Sequence, residues 1–193
     1  MARNPARRAA LADAGITVLA REGARGLTHR AVDAAAGVPE GTASNYFRSR
    51  AALLDALVAR IGERLAPDPA VQAELSQHPP TKEVFAQYLR DIVRRLSTES
   101  DVTLALFELR LEAARRPDVA EAIGAWLRTG FDGDVAFNAE QGLPGGREEI
   151  ALFHYAIDGL LLDRLTASID PDRPTDDIVE ALVARLLPPA SSR

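Results

Sequence analysis

Apolar residues recur along this chain at intervals of three and four rather than two, so its whole length reads as amphipathic helix interrupted by glycine, proline and polar stretches. A first helix is predicted over 5–22, with Ala12, Ile16, Leu19 and Ala20 at helical spacing, and the GARG of residues 23–26 closes it. Thr28 offers an N-cap hydroxyl to a second, alanine-rich helix that ends at Gly37. Pro39 stands near the first turn of a third, where its missing N–H costs little. Ser49 caps a fourth that carries Leu53, Leu54, Leu57, Val58, Ile61 and Leu65 as far as Pro67. The prolines of PDPAVQAELSQHPP (67–80) predict a loop or hinge. Beyond it Thr81 caps a fifth helix with Val84, Phe85, Tyr88, Ile92 and Leu96, and a sixth runs over 101–116. Pro117 starts a seventh with Val119, Ile123, Trp126 and Phe131. After the turn-rich QGLPGG (141–146) an eighth extends to about Ser168, and Thr175 caps a ninth that stops before Pro188. There is no period-two run and no internal repeat, so the expected fold is all-α with about nine helices.

The second and third helices are joined by three or four residues that include Gly37, which is the sequence mark of a helix-turn-helix whose second helix enters the major groove of DNA. That helix should expose Glu40, Thr42, Ala43, Ser44 and Asn45, while Val38 and Phe47 anchor it. Asn pairs with adenine in a bidentate way, Thr and Ala meet a thymine methyl, and Glu accepts from cytosine N4. Phosphates are expected on the Tyr46 hydroxyl, on Arg48 and Arg50, and on the N–H groups at Thr28 and His29, with Gly41 allowing close backbone approach. The competing readings are a core aromatic for Tyr46 and a solvated surface for Arg48 and Arg50.

The residues AAAGVPEGTASNYFRSRAALL (34–54) resemble the signature of tetracycline-repressor-type (TetR family) transcriptional regulators. The likeness covers roughly the first 55 residues; further on it is one of length, helical texture and the segment AIDGLLLDRL (156–165). It implies a helix-turn-helix domain over 1–50 with a connecting helix at about 49–66, followed by a ligand-binding and dimerisation domain over 67–193. Two positions depart from the family pattern: Ser44 stands where a Tyr is usual and Arg50 where a Lys is usual, and Glu40 is an uncommon neighbour for DNA.

Charge sharpens this division. Residues 1–50 hold eight arginines against Asp13, Glu22, Asp33 and Glu40, a net of +4, which leaves −9 for the remainder of a chain whose total is −5. A basic head on an acidic body suits a protein that presents one end to phosphates. The chain has no cysteine, which excludes disulfides, thiolate metal sites and a Cys nucleophile. No apolar run reaches the roughly 18 residues of a membrane span, and the N-terminus lacks a signal-peptide core, so a cytoplasmic protein is expected.

The predicted eighth helix is apolar nearly all round, which calls for burial on more than one side. Leu152, Ala156, Gly159 and Asp163 share one stripe, and Ile178, Leu182, Val183 and Leu186 form another on the ninth. The family resemblance implies that these two helices pair with their symmetry mates in a homodimer; the alternative is that both stripes pack within one chain. In the sixth helix Arg110 lies opposite the acidic stripe, among apolar residues, and His154 and Asp158 lie four apart beside Ile157. Two readings stay open: a structural Arg110–Asp158 ion pair, or an effector pocket walled by Leu104, Phe107, Trp126 and Ile157 with Arg110, His154 and Asp158 as polar fixing points. Scattered histidines and the lack of a phosphate loop or nucleophile elbow give no support to an enzyme or to a metal or other cofactor. The expected function is that of a repressor which binds an inverted-repeat operator in double-stranded DNA as a dimer and is released by a small apolar effector. The alternatives are an effector-independent DNA-binding protein and a helical small-molecule-binding protein.

Overall fold

The computed structural model describes residues 4–187, and every regular element among them is an α-helix. The ten are α1 (Pro5–Gly26), α2 (His29–Ala35), α3 (Thr42–Tyr46), α4 (Arg50–Arg64), α5 (Pro69–Leu75), α6 (Lys82–Thr98), α7 (Ser100–Ala113), α8 (Pro117–Glu140), α9 (Arg147–Leu165) and α10 (Thr175–Leu186). The caps expected at Thr28, Ser49 and Thr81 form, each hydroxyl accepting from the backbone N–H three residues on. Gly23 sits at φ 68° inside α1, so that helix breaks at the predicted closing glycines and resumes for one short turn.

The tenth helix is the one unexpected element. Asp68 accepts from the Ala70 N–H at 2.8 Å and Pro69 occupies the first turn of α5, so a proline that argues for a loop instead starts a helix, where it has no N–H to lose. At α10 the capping position falls to Pro174, and Thr175 is already helical without a side-chain cap bond.

The chain divides into two compact units, the first comprising Met1–Ala66 with Glu99–Leu127 and the second Pro67–Thr98 with Arg128–Arg193. Residues 99–127, assigned to the second domain by the sequence, thus pack with the head. The reason lies in α1, whose Leu11, Ala12, Ile16, Val18 and Leu19 are buried on more than one side. α2 and α4 cover part of that surface, and α7 covers more with Val102, Ala105, Leu106 and Leu109. Small residues admit the neighbours: a Cβ on Gly15 would stand 3.0 Å from Leu57, and one on Gly62 would stand 2.8 Å from the Trp126 indole nitrogen. An ion-pair cluster on the same unit ties α4 to α1. Arg60 grips both Asp13 oxygens at 2.9 and 3.0 Å, and Arg64 links Asp13 to Glu99.

In the second unit α6, α9 and α10 pack around Phe85 and Phe153, whose ring centroids lie 4.9 Å apart, with Ile150, Ile157, Leu161, Val179 and Val183. The buried Asn138 amide donates to the carbonyls of Leu143 and Gly145 and so fixes the 141–146 turn. No described helix is long and apolar enough to cross a membrane.

Candidate nucleic-acid interface

The turn between α2 and α3 places the short α3 as a separate, mostly polar element. Gly37 at φ 61° closes α2, with the Val38 N–H returning to the Asp33 carbonyl at 3.0 Å. Gly41 then takes φ 90°, a left-handed conformation that glycine adopts without strain, and so occupies the N-cap of α3 with no side chain to cap it. The cap comes from α2 instead. Asp33 is 2% exposed, and its two carboxylate oxygens accept from the Gly41 N–H at 2.8 Å and the Ala43 N–H at 2.6 Å. The sequence reading counted Asp33 only as negative charge. The signal it passed over is a helix start without a Ser, Thr, Asp or Asn at the cap, which must borrow an acceptor from elsewhere.

Three of the predicted DNA contacts are corrected by this packing. Ala43 is fully buried, because it and Phe47, also 0% exposed, seat α3 on the head's core; it has no surface left for a thymine methyl. The Gly41 N–H is taken by Asp33, so the glycine is there for its backbone angle and not for phosphate approach. Arg50 points inward: its guanidinium donates to the carbonyls of Leu27 at 2.7 Å and Ala24 at 2.9 Å, satisfying groups left open where α1 ends. His29 Nε2 likewise lies 2.7 Å from the Phe47 carbonyl and ties α2 to the end of α3, leaving its backbone N–H as the group at the helix start.

The remaining candidates face outward. Glu40, Ser44, Asn45 and Arg48 are exposed, Thr42 and Tyr46 half-buried, and Thr28 exposed beside its cap. Thr42 donates to the Pro39 carbonyl at 2.6 Å and Ser44 to the Gly41 carbonyl at 2.9 Å, which uses the proton of each hydroxyl within the turn and leaves each oxygen able to accept. Glu40 pairs loosely with Arg30 at 3.8 Å, so the acid beside the groove-reading helix is partly offset. Arg8 of α1, absent from the predicted set, lies with its guanidinium carbon 4.7 Å from the centre of the Phe47 ring.

The predicted effector and dimer residues are spread over both units. Leu104, Phe107, Arg110 and Trp126 belong to the first unit and are half-buried. His154, Ile157 and Asp158 belong to the second, where Ile157 is core. His154 does not face an apolar interior. Its side chain is 40% exposed, with Nε2 3.0 Å from Asp134 and the ring edge-on to Phe131, because α8 lays an acidic, aromatic segment along α9 there. In the first unit a groove of about 310 Å³ runs between α1 and α4, floored by Ala9, Ala12, Ala56 and Ala59; none of the predicted effector residues lines it.

On α9, Leu152 and Gly159 of the expected stripe are exposed, but the apolar face is turned one position, to Tyr155 (71% exposed) beside Ala156 and Leu162 (48%) beside Asp163. Asp163 is consumed within its own chain, accepting from the Ser168 hydroxyl and the Ile169 N–H at 2.6 and 2.8 Å to close the end of α9. Val183 is 5% exposed in the core of its own unit, whereas Ile178, Leu182 and Leu186 are half-buried.

A short polar helix held by a glycine turn against the buried core formed with α1 and α2 defines a helix-turn-helix DNA-binding protein. Residues 11–57 match the bacterial regulatory proteins of the tetR family, and residues 80–189 match the tetracyclin repressor-like C-terminal domain. The chain belongs to the TetR family of transcriptional regulators. Solved structures with the same fold include a TetR-family member from Streptomyces coelicolor A3, with 24% identity, a TM-score of 0.75, and 96% of this chain covered against 100% of that one. The multidrug binding protein EbrR complexed with imidazole has 27% identity and a TM-score of 0.68, with 97% and 99% covered. EbrR complexed with ethidium has 26% identity and a TM-score of 0.68, with 95% and 99% covered. No curated protein matches the sequence.

Proposed function

We propose that this protein is a ligand-responsive repressor that binds an inverted-repeat operator as a homodimer and releases it when a small, mainly apolar molecule binds. The observation that carries the DNA part is α3 itself, with Thr42, Ser44 and Asn45 turned outward from a helix whose start is fixed by Asp33. A helix of five residues has no stability of its own, so a buried carboxylate spent on holding it indicates that its exposed face has work to do.

Dimer formation is supported by α9, where Leu152, Tyr155 and Leu162 expose an apolar face and nothing lies within 4 Å of a Cβ placed on Gly159. An uncovered apolar stripe of that kind marks an interaction surface. Effector binding is supported by EbrR, a multidrug binding protein that binds ethidium. Arg110, on α7 with Leu104 and Phe107, is the residue to attract an anionic or hydrogen-bonding group, while those two and Trp126 supply apolar surface.

The test is selection of duplexes from a random pool, followed by challenge of the selected complex with a panel of apolar anions and other apolar compounds that do not themselves bind DNA. Recovery of an inverted repeat and its release by one class of compound are expected. Recovery of no repeat would remove the operator reading, and indifference of the complex to every compound would favour an effector-independent DNA-binding protein.

A further inference from the structure

With Arg50 turned inward, Arg48 is the exposed cation of the predicted set just past the end of α3, and Arg8 of α1 is a second one placed beside it. Its NH1 group lies 3.4 Å from the Tyr46 carbonyl, at the last residue of α3, and its guanidinium stacks over Phe47, the residue that ends that helix. Arg8 is exposed, and among the described residues it meets no carboxylate within ion-pair distance; Asp55 and Glu63 line the neighbouring groove, and Glu63 is bound to Arg60. Arg50, by contrast, spends two nitrogens on the carbonyls of Ala24 and Leu27.

We propose that Arg8 is a DNA-backbone contact, gripping a phosphodiester at the C-terminal end of the groove-reading helix. The inference rests on the DNA-binding reading above and adds to it the residue that sets its register. A guanidinium is suited to this: it stacks on an aromatic face with one side of its plane and keeps its edge donors for two phosphate oxygens at once. The Phe47 ring is itself fixed, being 0% exposed in the core, so the stacked cation has few rotamers to lose when the phosphate arrives. Phosphate contacts of this kind set orientation on the duplex and carry no base information.

The experiment is a titration of a selected duplex by the full chain at a series of salt concentrations, for the wild type, Arg8→Ala, Arg8→Lys and Arg50→Ala, with a thermal melt of each. One phosphate contact contributes about 0.9 to the slope of log affinity against log salt. Arg8→Ala removes one contact from each of the two chains on the repeat, so it should lower that slope by about two and weaken all duplexes alike, with little change in melting; Arg8→Lys should recover the slope. Arg50→Ala should lower the melting temperature and leave the slope intact. An unchanged slope in Arg8→Ala, or a loss of affinity matched by a loss of melting temperature, overturns the assignment while the DNA-binding reading stands. A wild-type chain that binds no duplex overturns both.

Discussion

Asp33 is the residue on which the head depends most. Its carboxylate is buried and accepts two N–H groups that no other side chain reaches, so Asp33→Ala leaves both donors orphaned in a dry site. Each stranded donor costs about 1–3 kcal/mol, and the loss should appear in chemical denaturation together with abolished DNA binding. Asp33→Asn keeps one acceptor and turns an amide toward the other N–H, so it should be destabilised to a similar degree. A variant that unfolds like the wild type yet still binds DNA would contradict the capping role. None of this was legible locally, because the partners of Asp33 lie eight and ten residues further along the chain. Thr28 and Ser49 were legible for the opposite reason: each caps a backbone group three residues away. Ala43 shows a further limit, since helical phase on five residues does not say which side of so short an element faces the core.

At the scale of the element, α9 is held at both ends by carboxylates. At its start Glu149 accepts from the Gly146 N–H at 2.8 Å, and that bond holds its carboxyl below the usual glutamate value. At its end the Ser168 hydroxyl, then the Ile169 N–H and Arg164, hold Asp163 below the usual aspartate value of 3.8. A carboxylate whose folded value is depressed adds stability that is fully present above its unfolded value and is lost as pH falls through the folded one. Stability should therefore be flat above about pH 5 and fall below about pH 4, and Asp163→Asn should make the acid limb shallower in urea melts run as a function of pH. An unaltered acid limb would show that the α9 terminus does not contribute.

The exposed face of the same helix carries the dimer prediction. Tyr155→Glu puts a charge at the centre of the apolar stripe, and sedimentation should show the wild type as a dimer and the variant as a monomer at micromolar concentration. Its exact line was not legible because Ala156 and Asp163 satisfy the same helical phase as Tyr155 and Leu162 to within one residue. The pairing of α7 with α1 was hidden for a related reason. A stripe of buried positions announces that a helix has a partner and does not say which.

For the whole molecule, the proposed ligand response has to reach α3 in a chain that divides into two compact units. The backbone passes from one unit to the other at 66–67, 98–99 and 127–128, and Arg110, Leu104, Phe107 and Trp126 belong to the same unit as the head, so a ligand held by them would act on α3 through that unit's own packing. An effector that binds one state more tightly than the other shifts the equilibrium by its differential affinity, and coupling of about 1–3 kcal/mol is the usual scale. Linkage makes this reciprocal: operator DNA should weaken effector binding by the same factor, a relation that calorimetry with and without duplex checks directly. Arg110→Met should abolish the effector response with little loss of melting temperature if the guanidinium serves a ligand; a large drop in melting temperature would instead assign it to the protein's own polar network.

The central claim is that α3 reads DNA, and base-specific binding tests it most directly. Titration of the selected inverted repeat with wild type and Asn45→Ala, in parallel with duplexes altered at each position, should show two chains per duplex and tight, salt-sensitive binding for the wild type. Asn45→Ala should lose about 1–3 kcal/mol, confined to one base pair in each half-site. Binding that is indifferent to every base, or that keeps its full base preference in Asn45→Ala and in the corresponding alanine variants at Thr42 and Ser44, would contradict the account.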